Sequence, residues 1–291
     1  MKLDVGEWLA RGRGHIAAFL TRKDVAKTLD GAKHAGLLTL GLIVAAARWL
    51  KEPFLAVVLV FSATTVIAQP FYVPSGSMQP TLAIGDMTLA TKFSYGYSRY
   101  SIPYMNGASP ATRLFGRMPN VGDVVVFRLP RDPSVTFVKR VIGLPGDRIQ
   151  MIAGRLYING RELPLRPAGE GEDEYGPDES VPGLFVTVPK YIETLPNGVE
   201  HPIFKKGWSE QLDNTEVYVV PPGHLFMMGD NRDDSWDSRV SEAEGGVGYV
   251  PFGNLVGRAF IVLGSVDFAN AAGLWDWPFE FRFSRVLRGV H

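Results

Sequence analysis

Between Glu52 and Asp86 the chain contains no Asp, Glu, Lys or Arg. Inside that gap, residues 53–73 (PFLAVVLVFSATTVIAQPFYV) form a run of 21 residues. As a helix such a run crosses about 30 Å of hydrocarbon. Its apolar residues surround the helix and do not form one stripe, which separates it from the core-facing helix of a soluble domain. It reads as a transmembrane helix. It does not read as a cleavable signal sequence, since it starts beyond residue 50 and no processing site follows it.

A second apolar run, residues 35–47 (AGLLTLGLIVAAA), is 13 residues long before Arg48 stops it. That is short of a usual span. Residues 1–34 carry seven Lys/Arg, Arg48 and Lys51 add two, and the twenty residues after Val73 hold only Lys92. The positive-inside rule then places the N-terminus in the cytoplasm and everything after Val73 outside. Residues 1–52 are therefore read as a basic cytoplasmic tail whose short apolar segment lies at the interface or packs against the span.

After residue 74 the runs shorten and take the alternation of strands, each closed by Gly, Pro, Asn or Asp. They occupy residues 121–127, 135–144, 148–158, 216–220 and 255–266, and an Asn159-Gly160 pair marks a hairpin. The expected fold is mainly β: an N-terminal transmembrane helix followed by an antiparallel β domain formed by 74–163 and 215–291. An acidic, proline-rich stretch, 164–214, is expected as an inserted, less regular subdomain. The aromatic and basic residues of 268–291 fit a membrane interface and a packed edge equally well.

Thirty Lys+Arg balance thirty Asp+Glu, so no general attraction to nucleic acid is expected. The absence of cysteine excludes a thiol nucleophile and cysteine-ligated metal. No HExxH is present, and the acidic run 230–237 lacks the central glycine of a calcium loop, so no metal and no cofactor is expected. Of the five histidines only His224 is placed where it could serve as an exported base, and it has an ordinary turn reading.

Three segments remain. Residues 74–82 (PSGSMQPTL) set a Gly between two serines framed by prolines, a turn that can present one hydroxyl, though such clusters are commonly turns and nothing more. In 137–143, strand alternation puts Lys139 on the face of Phe137 and Val141, where lost solvation lowers an amine's pKa toward a neutral base. A lone surface lysine would instead snorkel. Residues 229–239 (GDNRDDSWDSR) are dense in carboxylates, guanidinium groups and hydroxyls and follow an apolar strand, so their ion pairs could brace a site wall.

Together with residues 122–127 (GDVVVF) and 137–147 (FVKRVIGLPGD), these segments resemble the bacterial type I signal peptidases, membrane-anchored serine proteases with a Ser/Lys dyad, over residues 50–266. The order of the segments is the family's, and the first follows a membrane helix. The resemblance implies Ser77 as nucleophile, Lys139 as general base and Ser75 as oxyanion-hole hydroxyl beside the Ser77 N–H. It makes Ser235 the serine that orients the lysine, and Asp237 and Arg239 a bracing ion pair, with Gly229 and Asp230 structural in the same loop. Phe71, Val73, Met78, Leu82, Phe137 and Val138 fall where the family builds its shallow substrate pockets. Phe137 departs from a commonly tyrosine position, and Asp234 and Trp236 sit at variable ones. The implied partners are signal peptides of exported preproteins, the lipid bilayer and, functionally, the translocation machinery, at the outer face of the cytoplasmic (inner) membrane. The rival is a membrane-anchored β-rich binding factor whose Ser/Gly turn is only structural, and the Ser77–Lys139 distance separates the two. A soluble self-cleaving Ser/Lys regulator fits less well with residues 53–73.

Overall fold

The computed structural model describes residues 48–102, 113–174, 184–266 and 280–291. The apolar run at 35–47 and the aromatics Trp275, Trp277 and Phe279 lie outside the described residues. The chain divides into two compact units, Met1–Val60 and Phe61–His291. The described part of the first unit is the start of one helix, α1, Arg48–Val66. Its 19 residues give a rod about 28 Å long.

The helix ends sooner than the apolar run that contains it. Residues 53–73 were expected to be helical throughout, but Ala68–Tyr72 is a strand. Pro70 explains the change: it has no N–H to donate to a helix, and it drives the preceding residue toward extended geometry. The last helical-type bond runs from the Ile67 N–H to the Ala63 carbonyl at 2.8 Å.

The strands, in chain order, are β1 (Ala68–Tyr72), β2 (Asp86–Thr91), β3 (Val124–Arg128), β4 (Thr136–Gly143), β5 (Arg148–Ile152), β6 (Arg155–Ile158) and β7 (Arg161–Glu162). Then follow β8 (Leu165–Glu174), β9 (Phe185–Thr194), β10 (Glu200–Phe204), β11 (Tyr218–Val219), β12 (His224–Met228), β13 (Val250–Pro251) and β14 (Leu255–Ser265). The main sheet has the order β1-β2-β14-β3-β4-β12-β13, antiparallel throughout. Pro70 sits on its edge strand, the position in a sheet where a missing N–H leaves no ladder bond unmade. The alternating run at 148–158 is in fact two strands, because Ala153 and Gly154 take positive φ (46° and 74°) and turn the chain. Asn159 and Gly160 (53° and 79°) make the second tight turn, as their residue types indicate.

The acidic stretch is more regular than its composition suggests. It contains β8, β9 and β10, which form a separate three-stranded antiparallel sheet. Along β8 the acidic side chains divide by environment: Glu170 and Glu172 are exposed, whereas Asp173 and Glu174 are buried and meet Lys206 and Arg282. Neutralised in this way, a carboxylate-rich segment can hold a strand.

Three apolar clusters form the core of the second unit. The first joins Val73, Met78 and Leu82 to Val124, Val126 and Val262, with Phe71 and Val138 packed against it. The second, around Phe127, Val141 and Met227, takes Phe137. Strand β4 therefore has apolar neighbours on both faces, and every residue from Lys139 to Gly143 is buried.

Candidate active site

Strand β1 leads into a single 3-10 turn, Gly76–Met78, with Ser75 as its extended N-cap. The Gln79 N–H closes the turn on the Gly76 carbonyl at 2.9 Å, and the fully buried Met78 and Leu82 anchor it. Ser77, between the buried Gly76 and Met78, stays partly open to solvent. Its N–H lies in the first turn, where a helix supplies no acceptor, so that donor is available to a ligand. The hydroxyl oxygens of Ser75 and Ser77 are 3.5 Å apart.

Lys139 reaches this turn from β4, where it stands opposite Val125 of β3. Its side chain is buried (2% exposed), and its Nζ donates to Ser77 Oγ at 2.5 Å. The ammonium lies 5.7 Å from the centre of the Phe137 ring, on the face that alternation assigns to both. Burial pushes the Lys139 pKa from its usual 10.5 down to about 8. Asp237 pulls it back up and Arg239 pushes it further down. An amine near 8 is substantially neutral in mildly alkaline water, and its lone pair can then take the proton of the hydroxyl it now donates to.

The loop after β12 closes the site from the other side. Asp237 accepts from the Gly229 N–H at 3.0 Å and forms a two-bond ion pair with Arg239, Nε at 2.9 Å and Nη2 at 2.8 Å. Burial, the largest single influence, would raise the Asp237 carboxyl, but the Arg239 charge and hydrogen bonds, the Lys139 charge and the Gly229 N–H together hold the group below the usual carboxylate range. Asp230 receives Arg140 through Nε at 2.8 Å and Nη2 at 2.7 Å, and Thr81 Oγ1 at 2.5 Å. Asn231 ties the loop to the serine turn, its N–H on the Ser77 carbonyl at 3.1 Å and its Nδ2 on the Gly76 carbonyl at 3.3 Å.

Gly229 has to be a glycine, because a Cβ there would collide with both the Ser235 side chain and the Ser77 carbonyl. Ser235 is thus beside the serine turn, but it does not hydrogen-bond Lys139, the contact through which it was expected to orient the amine. Its Oγ is buried without a hydrogen-bond partner among the described residues. In this structure the amine is aimed by Ser77, by its strand and by its burial.

The six expected pocket residues fall in two groups. Val73, Met78 and Leu82 are buried and, with the half-buried Phe71 and Val138, share one cluster. Phe137 belongs to the neighbouring cluster, edge-on to Phe127 with ring centres 6.3 Å apart. His224 turns its Nδ1 to the Pro222 carbonyl at 3.0 Å, in keeping with an ordinary turn. Residues that sequence reasoning left without a role complete the wall. Arg232 pairs with Glu193 of β9 at 3.0 Å and 2.5 Å. His201 of β10 is buried with Nε2 3.3 Å from Glu193 and Nδ1 3.4 Å from Asp230.

The family model for signal peptidase, peptidase S26, matches residues 46–263. Signal peptidase I of Rickettsia felis (strain ATCC VR-1525 / URRWXCal2) is 42% identical over 248 residues, 78% of this chain and 86% of that one. Signal peptidase I of Rickettsia akari (strain Hartford) is 36% identical over 252 residues, with the same shares. A crystal structure of a signal peptidase I from Enterococcus faecalis V583 is 25% identical and covers 49% of this chain and 97% of that one, with a TM-score of 0.27. The family model runs from the apolar helix through the serine turn, the lysine strand and the acidic loop to β14, and on that match this chain belongs to the signal peptidase family, peptidase S26.

Proposed function

We propose that this chain is a membrane-bound serine endopeptidase that removes signal peptides from exported preproteins with Ser77 as nucleophile and Lys139 as base. The observation that carries this reading is the 2.5 Å approach of a buried lysine amine to a serine hydroxyl. A β-rich binding factor would have no need to bury an amine there.

Neutral Lys139 takes the Ser77 proton as Oγ attacks the scissile carbonyl. The negative charge that develops on the carbonyl oxygen is met by the Ser77 N–H and the Ser75 hydroxyl. The resulting Lys139 ammonium gives its proton to the leaving amine, and the free peptide departs. Lys139, neutral again, activates a water that attacks the acyl-enzyme and releases the second product. The apolar floor of Val73, Met78 and Leu82 supports a substrate laid along β1 and β4, and Asp237, Arg239, Asp230 and Gly229 keep the loop wall in place.

In this reading α1 crosses the cytoplasmic (inner) membrane, residues 1–52 stay inside, and the residues after Val73 work at the outer face beside the translocation machinery. The nine basic residues before Pro53 and the exposed apolar side chains along α1 support that arrangement. The test is cleavage of a signal-peptide substrate by the purified chain and by Ser77→Ala. Loss of cleavage in a folded Ser77→Ala protein is the expected result, and retention of more than about a tenth of the turnover removes Ser77 as nucleophile.

A further inference from the structure

The turn that carries Ser77 is held by a second device besides Asn231. Gln79, at the end of the turn, is buried (3% exposed) and faces the backbone of Glu174, the last residue of β8. The Glu174 N–H donates to Gln79 Oε1 at 3.0 Å, and Gln79 Nε2 donates to the Glu174 carbonyl at 3.4 Å. Among the described strands β8 lies at the edge of its sheet, with β9 on one side. A carboxamide that accepts from and donates to the same residue reproduces the paired bonds of an antiparallel ladder.

Gly76, on the other side of Ser77, meets the same carbonyl: a Cβ there would stand 2.9 Å from Glu174 O. Asp173, one residue earlier, accepts from Asn231 Nδ2 at 2.7 Å. Two consecutive residues of the inserted sheet therefore touch both flanks of the serine and the asparagine that holds its carbonyl. None of the hydrogen bonds of Gln79 reaches Ser77 Oγ or Lys139 Nζ.

We propose that Gln79 is a positioning residue, which uses its side-chain amide as a substitute strand partner for β8 and so sets the rotation of the turn that points Ser77 Oγ at Lys139. The proposal rests on the Ser/Lys reading above. It gives the inserted sheet a part in the reaction, as the surface against which the nucleophile is registered.

The experiment compares the full chain in detergent with Gln79→Met, Gln79→Glu and Ser77→Ala on one signal-peptide substrate. Gln79→Met keeps length and removes both bonds. It should lower kcat about 10- to 100-fold, the cost of a nucleophile displaced by up to roughly 1 Å. KM should stay within about twofold and the acid limb of the pH profile should not move, because the substrate floor and Lys139 are untouched. If Gln79→Met fails to fold, Gln79→Glu carries the same expectation, since it keeps the shape and the acceptor for the Glu174 N–H but cannot donate to the Glu174 carbonyl when ionised. Wild-type kcat in a folded variant, a loss carried by KM alone, or a shifted acid limb overturns the proposal. Misfolding of both variants overturns it too, by assigning Gln79 to stability. An inactive Ser77→Ala beside a normal Gln79→Met sinks only this inference, whereas an active Ser77→Ala sinks the Ser/Lys reading itself.

Discussion

Lys139 and Arg140 are consecutive on β4 and both almost wholly buried, yet only Arg140 has a carboxylate at ion-pair distance, Asp230 at 2.7 Å. Among the described residues no Asp or Glu lies that close to Lys139, whose hydrogen-bond partner is a serine hydroxyl. One strand thus buries a compensated charge on one face and an uncompensated amine on the other. The compensated pair holds the loop wall, and the uncompensated amine is available as a base.

The pH dependence of cleavage follows from this contrast. With the Lys139 amine at about 8, kcat/KM should rise with pH along an acid limb centred near that value and not near 10.5. Lys139→Arg should be inactive, since a guanidinium stays protonated at any working pH. Lys139→His should not restore full activity, because imidazole is too short to reach the same point. A rate profile with Lys139→Arg close to wild type would remove the lysine as base.

A stability cost accompanies the role proposed for Lys139. The folded state depresses the Lys139 pKa from 10.5 to about 8, so between those values the unfolded chain binds more protons and stability rises with pH. Below 8 the cost is fully present, and at 1.36 kcal/mol per pKa unit it amounts to about 3 kcal/mol. Lys139→Met should therefore melt higher than wild type at pH 7, with the gap closing as pH approaches 10.5. Lys92, another buried lysine brought down to about 8, donates to the Ser101 carbonyl and adds a slope of the same sign in both proteins. The difference between the two curves isolates Lys139, and a Lys139→Met protein that melts lower at pH 7 would contradict the argument.

Much of this site was legible because its signals are local. A serine turn flanked by prolines, a lysine on the apolar side of an alternating strand and a charged loop after an apolar run each sit within about a dozen residues. The wall of the site is long-range: Arg140 meets Asp230 across 90 positions, and Asn231 meets Asp173 across 58. Glu193 and His201 could not be seen in an acidic stretch whose composition suggests irregular chain, since burial of a carboxylate depends on a cation supplied from elsewhere. Ser235 shows the opposite case, a role implied by resemblance whose hydrogen bond to Lys139 the structure does not contain. The early end of α1 was readable in Pro70, although apolar content by itself does not separate a helix from the edge strand that follows it.

The proposed oxyanion donors can be weighed separately. Ser75 lies in the extended cap and contributes one hydroxyl 3.5 Å from Ser77 Oγ. Ser75→Ala should lower kcat by about 10²- to 10³-fold with little change in KM or melting temperature, the usual effect of removing one such donor. An unchanged rate would place the second donor elsewhere.

Gly229→Ala tests whether the loop and the serine turn are in register. The position has no positive φ to demand glycine, so the backbone itself tolerates alanine. What it lacks is room: the new methyl would press on the Ser77 carbonyl on one side and on Ser235 on the other. Ser235 Oγ can rotate, but Ser235 Cβ, 2.5 Å from the new methyl, cannot, and the Ser77 carbonyl is held by the Asn231 N–H at 3.1 Å. The strain therefore falls on both the loop and the serine turn, and its second part moves Ser77 Oγ away from Lys139. Gly229→Ala should lower kcat about 10²-fold, the usual penalty for a misplacement of about 1 Å. A second change, Ser235→Gly, removes the other obstacle and should return part of the loss if the methyl can shift toward the space it leaves. Single-turnover rates for the two variants and their combination decide this, and a Gly229→Ala enzyme at wild-type rate would show that the loop gives way more readily than the turn.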